Sequence, residues 1–326
     1  MKLNSNILTF EHTNRLKGLL ILLIVFGHIS QIFHTHDGLH SSLYSFHVVS
    51  FLLLPFLFNK DLLTFKNIKK NLWRIYFPYT FFFLLSFIAY SLLEHQFNPL
   101  SALTSWAIGT SALLKLETGF RIFWFFPALM STVLLIMLFN TLSKKFKKAF
   151  LIIMILGHFL IPFVPKHYLF YFPLSSYIAV YLFIIGLTVQ YLYKNFNYNC
   201  YPTWGYSIFF LLLLYLNFGL DFSLASAKFP NIVDKPFNFM LQDIIMITSF
   251  FTLILWSKNI KFFEIFGEYS LAIFTIHPFV IQALNIFYDW TSVQEGFIKF
   301  LFVISITFLI TKIIYYFNFN NFIYKR

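Results

Sequence analysis

Residues 16–28 read LKGLLILLIVFGH, and this stretch decides the fold class of the protein. A helix that crosses the hydrocarbon core of a bilayer needs about 20 mostly apolar residues, and a span over 17–34 meets this requirement. The apolar run is too long for a cleavable signal peptide, and no small-residue cleavage site follows it. It is therefore predicted to remain in the protein as a membrane span.

The composition extends this character to the whole chain. Of 326 residues, 59% are hydrophobic, 23% are aromatic and 11% are charged, and the mean hydropathy is +0.74. An average soluble domain carries about 25% charged residues. These values exclude a soluble enzyme, a disordered chain and a nucleic-acid-binding protein, although 24 Lys and Arg residues oppose 12 Asp and Glu. The lone Cys200 excludes a disulfide framework and a cysteine-based metal site.

The apolar runs predict an all-α fold, a polytopic membrane bundle of about ten transmembrane helices. The expected spans are 17–34, 43–59, 75–93, 122–142, 149–165, 173–193, 204–220, 237–257, 266–287 and 297–318. Most Lys and Arg residues then lie in loops on one side, which places both termini in the cytoplasm. Residues 1–326 are predicted to form a single domain of a multi-pass cell-membrane protein, with no appended soluble domain. Residues 94–121 fit either a re-entrant or interfacial helix or an external loop.

The first span carries a basic residue and a histidine on one face. Lys17 and His28 are eleven residues apart, which is three helical turns plus about 20° and roughly 16 Å along the axis. Lys17 is expected at the cytoplasmic interface and His28 near the middle of the membrane. A neutral imidazole is well suited to take a proton from a hydroxyl, and Gly27 leaves room for a substrate or a neighbouring helix. The alternative is that His28 only bonds a neighbouring helix.

A second basic pair precedes the third span. Lys70 and Arg74 are four residues apart and share one helical face at the cytoplasmic boundary. The planar fork of Arg74 suits phosphate recognition. With Lys17, these residues are candidates to bind a phosphorylated donor, although such charges also serve as topology signals and attract anionic lipid.

Further candidates lie towards the outer side or deep in a span. His47 is placed near the outer end of the second span, and His277 lies beside Pro278 deep in the ninth, where it either binds a substrate or satisfies a carbonyl that the proline releases. Glu117, Arg121 and Trp124 have helical spacing that suits a sugar, since indoles stack on sugar rings and charges bond hydroxyls. An interfacial aromatic belt with an ion pair explains these three equally well.

A histidine-rich loop joins the first two spans. His34, His36 and His40 are accompanied only by Asp37, which is a weak metal-binding pattern. No metal site is predicted.

Taken in order, these motifs resemble the integral-membrane acyltransferase-3 family, particularly its fucose-4-O-acetylase-like branch, which modifies surface polysaccharides. Lys17 and His28 match a first-helix signature of a basic residue, ten residues and His. Residues 46–52 (FHVVSFL) are similar to the FH-x-x-x-F-F second helix, and residues 124–129 (WFFPAL) to the WF-x-x-AL element. The resemblance covers essentially the whole chain.

The third and ninth spans contribute two further matches. The first is an Arg-x-x-x-Pro entry, and the second is a G-x-x-S-x-x-I-x-x-x-H element. The matching residues are Arg74 and Pro78 in the third span, and Gly267, Ser270, Ile273 and His277 in the ninth.

The sequence also departs from the family pattern at several positions. Lys17 stands where many relatives have Arg, and Asn14 where Asp is frequent. Asn71 replaces the first Arg of an Arg-x-x-Arg pair, with Lys70 as the nearest substitute. Pro55 follows the second-helix aromatics in place of a small residue.

The resemblance implies a membrane O-acyltransferase. Acetyl-CoA, or another acyl-CoA, would enter from the cytoplasm as co-substrate, with no permanently bound cofactor. The acyl group would go to a sugar hydroxyl of an extracytoplasmic glycan. His28 would be the general base, although an acyl-histidine intermediate is equally compatible. Besides acyl-CoA, the glycan acceptor and membrane lipid, polysaccharide-synthesis machinery is a candidate partner, and nucleic acid is not.

The same resemblance assigns the remaining candidates to the two substrates. Lys17, Lys70 and Arg74 would neutralise the phosphates of the donor. The candidates for orienting the acceptor are His47, Glu117, Arg121, Trp124 and His277.

Two other classes compete with this function. An exporter of polysaccharide or lipid-linked sugar would predict repeat-related half-helices at the midplane, and the sequence has no such internal symmetry. A membrane glycosyltransferase would need acidic residues in an early external loop, where Asp37 stands alone.

Overall fold

A computed structural model describes residues 10–33, 46–95, 97–169, 171–195, 204–205, 207–209, 211–212, 236–258, 260–319 and 323. Throughout these ranges the regular structure is helical and no strand occurs, which confirms the all-α class. The helices are α1 Phe10–Gly27, α2 His47–Phe58, α3 Phe65–Asn71, α4 Phe77–Glu94, α5 Pro99–Ile108, α6 Ser111–Thr118, α7 Phe125–Thr141, α8 Lys144–Leu160, α9 Lys166–Leu169, α10 Ser176–Asn195, α11 Pro236–Lys258, α12 Phe262–Glu268, α13 Ser270–Phe287 and α14 Val293–Tyr316.

Irregular helical turns connect several of these helices. A π-helical segment, Leu72–Tyr76, joins α3 to α4 and makes them one long helical stretch. The 3₁₀ turns are Ser30–Phe33, Ile122–Trp124, Ile161–Phe163 and Pro173–Ser175.

Seven helical stretches within the described ranges are long and apolar enough to cross a membrane. They are Phe65–Glu94, Ile122–Thr141, Lys144–Phe163, Pro173–Asn195, Met240–Lys258, Ser270–Phe287 and Val293–Tyr316. Each overlaps a predicted span, so the protein is a multi-pass membrane protein. The predicted first span corresponds in part to α1 Phe10–Gly27, which is not among these seven stretches. The predicted second span corresponds to α2, a shorter apolar helix, and most of 204–220 lies outside the described residues. The count of ten and the cytoplasmic termini stay predictions.

The chain forms two compact units. The first comprises Met1–Phe51 and Thr188–Tyr316, and the second comprises Leu52–Leu187 and Phe317–Arg326. The single domain expected from the sequence stays a prediction.

In the first unit, α1 and α12 approach each other backbone to backbone at two glycines. A Cβ atom on Gly18 would lie 1.7 Å from the carbonyl oxygen of Phe263, and one on Gly267 would lie 1.7 Å from that of Asn14. No side chain fits at either position. Glycine is therefore required at both, as in other close helix crossings in membranes.

The side chain of Arg15 forms hydrogen bonds across the same crossing. Its Nε donates to Glu264 Oε2 at 3.2 Å, and one terminal nitrogen donates to the Lys258 carbonyl at 2.8 Å. The residue is 9% exposed, and its fork satisfies a carboxylate and the last carbonyl of α11 together. Arg15 thus links α1, α11 and α12.

The other end of α1 packs against the start of α14. A Cβ on Gly296 would lie 2.9 Å from the Ile32 side chain and 3.0 Å from its backbone nitrogen. Phe26 contacts the rings of Phe297 and Phe300, with centroid separations of 6.0 and 5.4 Å. The first turn of α14 is thereby held directly against the 3₁₀ turn that follows α1.

The second unit is packed around aromatic side chains. Phe183 of α10 lies edge-on to Phe56, Phe139 and Phe150, with ring centroids 5.4 to 5.8 Å apart. Gly186 leaves the space that Phe56 occupies, because a Cβ there would lie 2.3 Å from the ring.

The uncertain region 94–121 forms two short helices, α5 and α6, in this second unit. They meet at Gly109, which has a left-handed φ of 69° and faces Pro127 of α7. The Trp106 carbonyl accepts a hydrogen bond from Tyr79 Oη at 2.9 Å, which holds α5 against α4.

Replacing Gly18 or Gly267 by alanine is expected to destabilise the protein by about 1–3 kcal/mol or more, because the new methyl group must push two helix backbones apart. Thermal unfolding of the purified protein in detergent measures the change. Gly205→Ala is the matched control, since no described atom lies within 4 Å of its Cβ position, and its effect should stay within about 0.5 kcal/mol. Equal effects at Gly18 and Gly205 would contradict the close crossing.

Arg15→Met is expected to cost about 1.5–3 kcal/mol, because hydrogen bonds to charged groups are lost in a largely buried setting. The same unfolding measurement detects it. Lys69→Met removes one exposed positive charge and should change the stability by less than about 0.5 kcal/mol. If both variants unfold like the wild type, the hydrogen bonds of Arg15 do not stabilise the packing of α1, α11 and α12.

Candidate functional site

Two histidines from separate sequence motifs meet in the first unit. His28 follows the last residue of α1, and its amide still donates to the carbonyls of Ile24 and Val25. His277 lies within α13 and is fully buried. The two imidazole centroids are 5.4 Å apart, and the ring planes are inclined by 31°. Two predicted site residues are therefore brought into direct contact.

The backbone orients the His277 ring. Its Nδ1 lies 3.0 Å from the carbonyl oxygen of Ile273. A carbonyl oxygen only accepts hydrogen bonds, so Nδ1 carries the proton and Nε2 holds the free lone pair of a neutral imidazole. Nε2 is buried and has no hydrogen-bond partner within the described ranges.

The simpler interpretation of His277 is that it only satisfies a backbone carbonyl. One ring nitrogen does bond a backbone carbonyl, and this contact fixes the tautomer, but the carbonyl is that of Ile273, whereas Pro278 releases that of Phe274. The second nitrogen is a buried acceptor whose hydrogen-bonding capacity is unused within the described ranges.

Two more predicted residues belong to the first unit. Lys17 lies on α1 and is half-buried, as is His28. α1 is continuous from Phe10 to Gly27, so the helical spacing expected between Lys17 and His28 holds up to the residue before His28. His47 begins α2, is fully buried and contacts the Phe46 ring.

The basic candidates of the second unit lie on its exposed surface. Lys70 pairs with Asp61, with 3.2 Å between Nζ and Oδ2. Arg74 lies in the π-helical segment with an exposed side chain. Asn71 is instead buried, donates to the Asn67 carbonyl at 2.9 Å and lies 3.5 Å from Met137 Sδ. Lys70 and Asn71 therefore point to different surroundings.

Glu117, Arg121 and Trp124 do not share one helix. α6 ends at Thr118, and Gly119 after it has a left-handed φ of 73°, so the expected helical spacing of these three residues is wrong. Glu117 is half-buried and accepts a hydrogen bond from Ser101 Oγ at 2.5 Å. Arg121 is exposed, whereas Trp124 is buried in a 3₁₀ turn.

Sequence reasoning missed a polar cluster at the start of α14. Lys299, which lies near the start of the predicted span 297–318, is 1% exposed. Its Nζ donates to Gln31 and Asn285 and lies 5.8 Å from the Trp290 ring. The sequence did contain a signal for this cluster, because a lysine lies just inside an apolar run. A charged group there costs free energy unless hydrogen-bond partners satisfy it.

Among the described residues, no group of three or more His, Cys, Asp or Glu side chains is arranged to hold a metal ion. His34, His36 and His40 lie outside the described residues, so the prediction for that loop stays untested.

Comparison with known proteins places the chain in a family. Residues 14–316 match the family model Acyl_transf_3, described as an acyltransferase domain. No curated protein and no solved structure matches the chain. The matched region includes both histidines and both glycines of the α1–α12 crossing. The chain therefore belongs to the acyltransferase-3 family and is a membrane acyltransferase.

Proposed function

We propose that the protein is an O-acetyltransferase of the cell membrane that moves an acetyl group from cytoplasmic acetyl-CoA to a sugar hydroxyl. The acceptor is an extracytoplasmic surface polysaccharide or its lipid-linked precursor, as in the fucose-4-O-acetylase-like branch. The observation that carries this proposal is the contact of His28 with His277, because acyl transfer to a hydroxyl needs a neutral base held in place.

The proposed reaction uses both imidazoles. His28 takes the proton from the attacking hydroxyl as its oxygen bonds to the thioester carbonyl carbon. The carbon–sulfur bond then breaks, and His28 passes this proton to the leaving sulfur of coenzyme A, which returns the imidazole to its neutral form. His277 Nε2 accepts a hydrogen bond from a neighbouring hydroxyl of the sugar and so orients the ring. An acyl-histidine intermediate on His28 remains the alternative route.

Positive side chains on the cytoplasmic side are proposed to bind the donor phosphates. Arg74 is the strongest candidate, because its exposed guanidinium has no ion-pair partner among the described side chains. Lys17 is half-buried on the same helix face as His28. Lys70 would have to exchange Asp61 for a phosphate, which makes it a secondary contact.

The outer candidates are proposed to shape the acceptor site. Glu117 and Arg121 offer hydroxyl contacts, and His47 and Trp124 contribute buried ring surfaces. Polysaccharide-synthesis machinery is proposed to supply the glycan, and both termini are proposed to lie in the cytoplasm.

His28→Ala is expected to abolish O-acetylation of the surface glycan, a loss of at least about 100-fold, because the general base is removed. Acetyl content of the purified polysaccharide, compared with and without the gene, is the measurement. His167→Ala removes an exposed histidine and should leave acetylation unchanged. Retention of near wild-type acetylation by correctly folded His28→Ala protein would refute the proposed base.

Arg74→Ala is expected to raise the KM for acetyl-CoA about tenfold with little change in kcat. The variant loses a phosphate contact that is equally strong in the bound ground state and in the transition state. Initial rates with purified protein test this. Lys145→Ala removes a comparable exposed charge on α8 and serves as control. An unchanged KM in Arg74→Ala would remove this residue from the donor site.

A further inference from the structure

Lys299 joins the two chain segments that carry the paired histidines. Its Nζ donates to Gln31 Oε1 at 3.2 Å and to Asn285 Oδ1 at 2.5 Å. Gln31 lies in the 3₁₀ turn three residues after His28, and Asn285 lies on α13 beyond His277. One ammonium group therefore bridges the end of the first motif to the helix of the second.

The surroundings of Lys299 make this bridge costly to break. The side chain is 1% exposed, and burial of a charge requires that its hydrogen bonds be satisfied. Two amide oxygens take two of its three protons, and the face of Trp290 lies 5.8 Å from Nζ. The Trp290 indole is itself fixed, because Nε1 donates to the Leu284 carbonyl.

Further contacts hold the start of α14 in place. Glu295 accepts hydrogen bonds from the amides of Thr291 and Ser292, and the Ser292 hydroxyl accepts one from the Glu295 amide. This reciprocal pattern is a capping box. Gly296 then packs against Ile32, so Lys299 projects from a fixed turn.

Two sets of contacts therefore position the histidine pair. On one side α1 and α12 cross at Gly18 and Gly267, and on the other Lys299 links the 3₁₀ turn to α13. Lys299 is the hydrogen-bonded link between the turn that follows His28 and α13. The same turn also packs against Gly296 of α14, so loss of Lys299 removes this link while the packing on α14 remains.

We propose that Lys299 is a positioning residue, which sets the separation and inclination of the His28 and His277 rings through Gln31 and Asn285. Lys299 takes no part in bond making. Its catalytic consequence rests on the proposed acyl transfer, because a base displaced by about 1 Å can lose 100-fold in rate. Its geometric consequence is independent of that reaction.

Cross-linking tests the geometric consequence directly. Cysteines replace His28 and His277 in a Cys200→Ser background, and a short bifunctional thiosulfonate joins them in the full-length protein. Adding Lys299→Met should lower the cross-linking rate at least about threefold, whereas Lys299→Arg, which keeps the donors, should retain it. Lys148→Met is the control, because it removes an exposed lysine of α8 that makes none of these contacts. An unchanged rate in Lys299→Met would overturn the proposal.

Kinetics on the protein with intact histidines test the catalytic consequence. Lys299→Met should lower kcat per folded protein at least about tenfold, with the KM for acetyl-CoA changed less than about twofold, and Lys299→Arg should restore most of kcat. Asn285→Ala, which removes one acceptor, should show the same pattern more weakly if Lys299→Met folds poorly. An unchanged kcat per folded molecule in both variants would contradict positioning. Absence of acyl transfer by the wild type would refute the proposed function, while the cross-linking result would still decide the role of Lys299.

Discussion

The contact on which the rest of the first unit depends is the backbone crossing of α1 and α12. In a bilayer, apolar side chains gain little by leaving lipid for protein, so helices associate through close packing and hydrogen bonds. Gly18 and Gly267 permit the closest packing available, with each glycine against the carbonyl four residues before the other. Arg15 adds charged hydrogen bonds at the same place. This crossing sets where both following segments begin.

The crossing is the starting point for the positions of the two histidines. His28 comes ten residues after Gly18, and His277 comes ten residues after Gly267. The second path is interrupted at Tyr269, whose φ of −103° and ψ of 11° separate α12 from α13, so equal spacing alone does not make the rings meet. The direction of α13 after this break, supported by its packing on α14, brings His277 to within 5.4 Å of His28.

Charged groups in this unit are placed where backbone or amide oxygens can hold them. Arg15 serves a helix end and a carboxylate, and Lys299 serves two amides beside an indole. A buried charge with imperfect partners would cost several kcal/mol. These residues therefore favour the arrangement of helices in which those oxygens lie within reach. The charged residues of α1 also differ in role, because Arg15 is structural and Lys17 remains a donor-site candidate.

The sequence by itself determined the helical class, the membrane setting, most span positions and the family, because apolar runs of membrane length and short motifs are local properties of the chain. It also singled out His28 and His277, each from its own motif. The tertiary structure alone decided that these rings touch, that Glu117, Arg121 and Trp124 lie on separate segments, and that Lys299 is buried. These facts depend on contacts between residues far apart in sequence and on backbone breaks at Gly119 and Tyr269, which no periodicity reveals.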